Sequence, residues 1–328
     1  MKILGMGNAL VDIVIHLPDD NILVELELPK ASMQLIDMDR LYKIQRRLSG
    51  LKQELASGGS AANTIHGLSA LGVETGFIGS VGKDEYGDFF HSDIEGKGIS
   101  GVFSFSGSPS GRAMALVSPD SERTFGTFLG AALELGSDHI NESLFDGYDL
   151  LHIEGYLVQN HDLIEKALRV ASEKGLEVSI DLASYNVVEE NRDFLERVLT
   201  DYVTIVFANE EESIAMTGHD DPDLALESLY RMCSRAVVKL GGEGSIIMTP
   251  GGKVKVEAVS AVPVDTSGAG DLYASGFLYG MSKGLDYSKC GHIGSLLASN
   301  VIRYSGPKLP HGAWDELLLE VARIEEGF

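Results

Sequence analysis

A chain of 328 residues, 44% hydrophobic and 23% charged, holds enough apolar matter for one large core, and its formal charge is −23. That acidity argues against nucleic acid or an anionic membrane as partner, since phosphate backbones are bound by basic surface, but a nucleotide handled by Mg²⁺ and backbone N–H groups stays open. Cys233 and Cys290 are too far apart to suggest a disulfide or metal framework, and no apolar run approaches the roughly 20 residues of a membrane span. The glycine-broken start, Met1 to Asn8, is too short an apolar run for a signal peptide, so a reducing cytoplasm is expected.

Residues 2–6 read as a buried strand ending in Gly7 and Asn8. In residues 11–16 a period of two sets Asp12 on the face opposite Val11 and Ile13. A carboxylate there, just past a strand end, accepts hydrogen bonds from ligand hydroxyls; capping a turn or pairing with a surface base is the alternative. Residues 41–55 read as an amphipathic helix. Gly58 and Gly59 then open a helix whose first turn holds Asn63, within reach of a bound hydroxyl; on this motif alone, a plain turn with Ser60 as N-cap is favoured. Residues 77–82 form another strand. From 99 to 128, short runs alternate with Ser, Gly and Pro and read as antiparallel hairpins, a lid over the sheet edge.

Strands at 150–153 and 178–181 flank a helix over 162–174. Strands at 203–208, ending in Asn209, and at 236–240, followed by the turn Gly241 to Gly244, continue the alternation. The pattern predicts a three-layer α/β/α sandwich with a mostly parallel central sheet, as one domain over 1–328. Ligands of such folds sit beyond the carboxyl ends of the strands. Asp12, Gly58-Gly59, Asn209, Gly241 and Asp271 all follow predicted strands, so one crevice can hold them. Val264 to Asp271 reads as a strand end, a small-residue turn (Gly268, Ala269, Gly270) and a helix start. Unpaired N–H groups at that start suit an anion, most often phosphate. Asp271 beside them suits proton removal from an attacking hydroxyl, with helix capping as the alternative.

Asp265-Thr266-Ser267-Gly268-Ala269-Gly270-Asp271 matches the C-terminal signature of the ribokinase-like (PfkB) carbohydrate and nucleoside kinases. Gly58-Gly59 with Asn63 resembles their N-terminal signature, and Gly5 to Asp12 looks like the opening of the adenosine kinase branch. Asn209 to Glu212 fits the N-x-x-E motif, and Gly241 to Gly244 the nucleotide-side G-x-x-G. The matches fall in family order across nearly the whole chain.

The resemblance implies a kinase that moves the γ-phosphoryl of ATP to an alcohol. It implies Asp271 as base, with the N–H groups of Gly268, Ala269 and Gly270 as anion hole. Asp12, Gly59 and Asn63 would hold acceptor hydroxyls, and the hairpins of roughly 13–37 and 99–128 would form the lid, from which Arg123 reaches substrate or phosphate; a surface salt bridge is the alternative for Arg123. Lys239, Gly241, Gly244 and Ser295 would face the nucleotide. Asn209 and Glu212 would organise Mg²⁺, Glu212 through water; an acid-rich helix start complementing the dipole is the alternative. Asp265 and Ser267 would contribute to a site for a monovalent cation such as K⁺. Asp12 and Asn63 suit vicinal hydroxyls, so the expected acceptor is the primary hydroxyl of a sugar-type molecule. A nucleoside, with Phe103, Phe105, Phe125 or Phe128 stacking on its base, is the alternative. A non-catalytic sensor of a sugar or nucleoside is a further one, although a sensor has no use for Asp271. A nicotinamide enzyme is disfavoured because Leu10 stands where the third glycine of G-x-G-x-x-G would fall. Expected partners are therefore a small molecule and, as in some of the family, a second copy in a homodimer.

Overall fold

The computed structural model describes residues 1–120 and 122–327. A nine-stranded sheet forms its centre. From one edge to the other the strands are Gly252–Val256, Ser245–Thr249, Arg235–Lys239, Ile205–Asn209, Glu177–Asp181, Leu150–Glu154, Ile3–Met6, Thr75–Gly82 and Ser100–Ser106. The strands from Arg235–Lys239 to Ser100–Ser106 run parallel, and Ser245–Thr249 runs against them, pairing antiparallel with Arg235–Lys239 on one side and Gly252–Val256 on the other. The inner strands are buried on both faces and mostly apolar, and their side chains divide by alternation. Ile205 and Phe207 pack into one apolar cluster, and Val206 and Ala208 into the other. Helices cover both faces, giving the expected layered α/β fold.

Five further strands form a separate sheet in the order Met33–Leu35, Arg123–Phe128, Gly111–Val117, Leu10–His16 and Glu54–Gly58. One face of it is apolar: Val11, Ile13 and Ile15 are buried against the helix Met38–Leu48, whose Leu41, Ile44 and Leu48 recur at helical spacing. Each such fully buried side chain contributes roughly 2 kcal/mol of hydrophobic stabilisation. The opposite face, carrying Asp12, Val14, Arg123 and Phe125, looks onto the large sheet.

Four sequence expectations need correction. Residues 100–106 are not a hairpin of the smaller sheet; they are the edge strand of the large one, parallel to Thr75–Gly82. Phe103 there packs on Phe77 and Phe90 in the core. The helix expected over 41–55 ends at Leu48, and Glu54–Gly58 is a strand pairing with Leu10–His16. Asp12 lies within that smaller sheet, not past a core strand end. The segment before Gly268 is an extended loop tied to Ile302 by the N–H groups of Val264 and Asp265, with no strand.

Candidate active site

The helix Ala269–Ser282 starts at the floor of a cleft of about 690 Å³ between the two sheets. Its N-cap, Gly268, is left-handed with φ 74°, and a Cβ there would lie 2.7 Å from Pro307, so only glycine fits. No side chain caps the helix. The Ala269 N–H turns back to the Thr266 carbonyl at 3.2 Å, whereas those of Gly268 and Gly270 have no partner among the described residues. The start therefore keeps free donors and the positive end of the dipole for an anion.

Asp271, in the first turn, does not cap its own helix. Its carboxylate accepts from Ser60 Oγ at 2.7 Å and from Asn63 Nδ2 at 2.9 Å, and its carbonyl accepts from Thr64 Oγ1 at 3.1 Å. Ser60 was read as an N-cap, but here Gly59 precedes the helix Ser60–Ala70 and Ser60 faces the acid instead. The two helices approach closely because Gly67 leaves room for Ser275, which donates to the Thr64 carbonyl. Burial pushes the Asp271 carboxyl up to about 6, against the two side-chain hydrogen bonds that favour its ion.

Beneath the helix start, Lys239 Nζ lies where it would be 3.0 Å from a Cβ on Gly270, and pairs with Asp181 at 2.7 Å. Burial works against the charge on Lys239, but Asp181, Glu212 and Asp271 outweigh it and raise its ammonium above the ordinary lysine value. Asn209 and Glu212 form a reciprocal cap on the helix Glu210–Thr217: Glu212 N–H donates to Asn209 Oδ1, and Asn209 N–H and Nδ2 donate to the Glu212 carboxylate, each at 2.8 Å. Both also line the cleft, so the capping alternative and a place at the site hold together. Burial raises the Glu212 carboxyl to about 7.

On this side a second cavity of about 580 Å³ shares Lys239, Gly241, Ala269 and Gly270 with the cleft, and is lined further on by Gly244, Val259, Tyr273 and Ser295. Gly244 has φ 92°, and a Cβ there would meet the Val256 carbonyl at 2.0 Å. Ser295 Oγ is occupied with the loop wall, accepting from Val259 N–H at 3.1 Å and donating to the Glu257 carbonyl at 3.2 Å.

On the other side, Asp12 lies over Gly58, whose Cβ would meet its carboxylate at 2.4 Å, and Gly59 has φ 100° against the Asn8 carbonyl. Burial raises the Asp12 carboxyl to about 6, with Lys308 opposing and Asp271 reinforcing the shift. Asn63 Oδ1 is buried and unpartnered among the described residues. Arg123 pairs with Asp265, which also accepts from the N–H groups of Ser267 at 2.9 Å and Gly306 at 2.7 Å. The other terminal nitrogen of Arg123 is buried without a partner among the described residues. Of the four phenylalanines expected to stack, only Phe125 lines the cleft; Phe128 is buried, Phe105 is exposed at the sheet edge and Phe103 is in the core.

Reading the sequence missed Asp181, Glu154 and Lys308. Asp181 and Glu154 close apolar strands at their carboxyl ends, the signal that drew attention to Asn209. Glu154 is buried and accepts from Asn8 N–H, Asn8 Nδ2 and Ala61 N–H at 2.9, 2.6 and 2.9 Å. Lys308 follows Gly306-Pro307 in a loop with no periodic pattern.

An uncapped glycine-rich helix start, an adjoining buried acid and a glycine-walled pocket beyond it define a phosphotransferase of the layered α/β kind. Residues 32–312 match the pfkB family carbohydrate kinases, and the chain belongs to that family. Among solved structures it is similar to a probable sugar kinase from Rhizobium etli (34% identity, TM-score 0.86, covering 98% of each chain). It is also similar to the adenosine kinase from Sinorhizobium meliloti (35% identity, TM-score 0.85, covering 97% of this chain and 99% of that one). An uncharacterized sugar kinase from Archaeoglobus fulgidus is 34% identical over 245 residues, 74% of this chain and 96% of the other. The protein is an ATP-dependent kinase of a sugar or nucleoside. No helix among the described residues is long and apolar enough to cross a membrane.

Proposed function

We propose that the acceptor is a nucleoside, phosphorylated at its primary hydroxyl, and that the smaller sheet is a lid on a single catalytic domain. The observation that carries the choice is a cavity of about 1020 Å³ that shares Gly59, Ser60, Ala113 and Tyr156 with the cleft. Its apolar walls include Leu10, Met33, Leu35, Leu129, Leu133 and Leu157, more apolar surface than a free sugar can cover and well suited to a flat base. The likeness to an adenosine kinase supports the same choice.

In this reading Asp12, the Gly59 backbone and Asn63 hold the ribose hydroxyls, and Asp271 takes the proton from the primary hydroxyl. The freed oxygen forms a bond to the γ-phosphorus as the bond to ADP breaks. The Gly268 and Gly270 N–H groups, backed by Lys239, stabilise the charge on the phosphoryl oxygens, with the free nitrogen of Arg123 as a further donor. Ala269 supports the turn more than it donates. Gly241 and Gly244 let the nucleotide lie against backbone, and Ser295 shapes its pocket.

Among the described residues no three acids, histidines or cysteines converge as a ready-made metal cage. The oxygen donors Asn209 and Glu212 on the cleft wall suit Mg²⁺, which keeps its waters and binds mainly through substrate phosphates; they would hold those waters, and the ion would neutralise phosphate charge. Asp265 already has a cation in Arg123, so K⁺ is assigned to Ser267 and neighbouring carbonyls. Two free cysteines are consistent with a reducing cytoplasm.

The test is ADP release with Mg²⁺, with and without K⁺, over a panel of nucleosides, pentoses and hexoses. The expected result is the highest kcat/KM on a nucleoside. A free sugar preferred over every nucleoside overturns the acceptor assignment, and no ADP release from any acceptor overturns the whole reading.

A further inference from the structure

Lys308 stands where the chain passes between the two sheets, beside the acceptor end of the cleft. Its neighbour Pro307 backs the Gly268 turn, so its backbone belongs to the catalytic end of the core. Its ammonium reaches the smaller sheet, donating to Ser57 Oγ at 2.7 Å and to the Ser57 carbonyl. Ser57 is fully buried, and its hydroxyl donates to Asp93 at 2.6 Å, itself paired with Lys97. The next residue is Gly58, over which the Asp12 carboxylate lies. Ammonium and carboxylate thus flank one peptide unit. Lys308 does not line the catalytic cleft. It lines a separate cavity of about 470 Å³ with Asn63, His66 and Trp314, so it acts on a substrate only through its neighbours.

We propose that Lys308 is a positioning residue for acceptor recognition: anchored on Ser57, its ammonium holds the Asp12 carboxylate across the Ser57-Gly58 peptide, turned toward the acceptor's hydroxyls. Asp12 and Asp271 are two acids in one buried site, and each disfavours the charge of the other. The charged groups acting on Asp12 are Asp271, Arg123 and Lys308, and Lys308 is the stronger of the two cations. Arg123 is already committed to Asp265. His66, which shares the cavity, is no substitute, because burial drives it down to about 2 and keeps it neutral.

The charged groups acting on Lys308 are Lys97, Asp12 and Asp93. Burial and Lys97 push its ammonium down to about 7, against the two acids. As pH rises through that value the ammonium loses its proton, and Asp12 loses its counter-charge. The inference rests on the acceptor role of Asp12 in the kinase reading.

The experiment compares wild type, Lys308→Met and Lys308→Arg, measuring KM for acceptor and for ATP, kcat and melting temperature between pH 6 and 9. Lys308→Met is expected to raise the acceptor KM about tenfold, leaving kcat and the ATP KM within about twofold, since only one charge contact is removed. Lys308→Arg, which stays charged throughout, is expected to restore a low acceptor KM and hold it flat above pH 7, where that of wild type climbs. An unchanged acceptor KM in Lys308→Met overturns the proposal. So does an equal loss in every parameter together with melting temperature that arginine does not rescue, the mark of a mere strut. If Lys308→Met does not fold, coincident pH profiles for wild type and Lys308→Arg overturn it. A wild type inactive on all acceptors sinks the kinase reading and this inference together; an active wild type beside an unaffected Lys308→Met sinks this inference alone.

Discussion

The floor of the cleft and its roof are built to different tolerances. On the floor, each feature is fixed by a contact with no slack: Gly268 against Pro307, Gly270 over the Lys239 ammonium, Asp271 between Ser60 and Asn63. These groups rise from helices packed on a sheet buried on both faces. The roof is a five-stranded sheet buried on one face only. Its edge strand Met33–Leu35 is three residues long, and both Met33 and Leu35 are exposed, at 62% and 65%. The floor performs a step common to all acceptors, where small misplacements lose rate. In the proposed reading the roof meets the part of the acceptor that varies, and a half-solvated sheet tolerates substitution there. The difference separates chemistry from choice.

The comparison breaks first at Asp271. Asp271→Asn keeps the shape and removes the base, and kcat is expected to fall about 10³-fold while the acceptor Kd stays within a few-fold. Because the acid must be ionised to accept a proton, kcat in the wild type is expected to drop as pH falls through about 6. Stopped-time ADP assays and calorimetric binding measure both; a mutant retaining wild-type turnover would falsify the role of the floor.

A smaller loss, about 10²-fold in kcat, is expected for Gly268→Ala, which adds a Cβ at φ 74° against Pro307 and displaces donors of the anion site. The acceptor KM should hardly move. If it moves as far as kcat, floor and roof are not separable.

The mildest effect concerns stability. Burial raises the Glu154 carboxyl to about 7, although three N–H donors favour its ion, whereas the unfolded chain titrates near the ordinary 4.5. Between these values the folded state binds the extra proton, so the stability it contributes is complete below 4.5 and lost as pH rises through 7. Glu154→Gln should therefore reduce the fall in stability between pH 5 and 8, by on the order of 1 kcal/mol in urea unfolding. Parallel curves for mutant and wild type would show that Glu154 does not titrate in this range.

How far the sequence could be read follows the same division. The floor was legible because its signals are local: two glycines and an alanine before an acid at a helix start suit either an anion beside a base or a capped turn, and the family signature over the same residues favours the first. The period of two places Asp12 on the correct face, although within a strand rather than just past the end of one. Ser100–Ser106 reads as part of the lid because its short apolar run is broken by Ser and Gly, and only its pairing with Thr75–Gly82 places it at the edge of the large sheet. Glu54–Gly58 carries no strand pattern at all and is held by its neighbour Leu10–His16. Ser60, Glu154 and Lys308 act across more than 90 residues of chain, on Asp271, Ala61 and Ser57, and no local pattern encodes such partners.

All five strands of the smaller sheet come from the stretch between Leu10 and Phe128, whereas Asn209, Lys239, Gly244 and the Gly268 turn come from the later part of the chain. On the proposed reading, acceptor preference is inherited largely on the stretch before Phe128, with Leu129, Leu133, Tyr156 and Leu157 beyond it, and energy-donor handling on the later part of the chain. Drift in the first can retarget the enzyme to a new metabolite while the second is passed on unaltered, with Asn63 and Lys308 as the few seams where the halves must still agree.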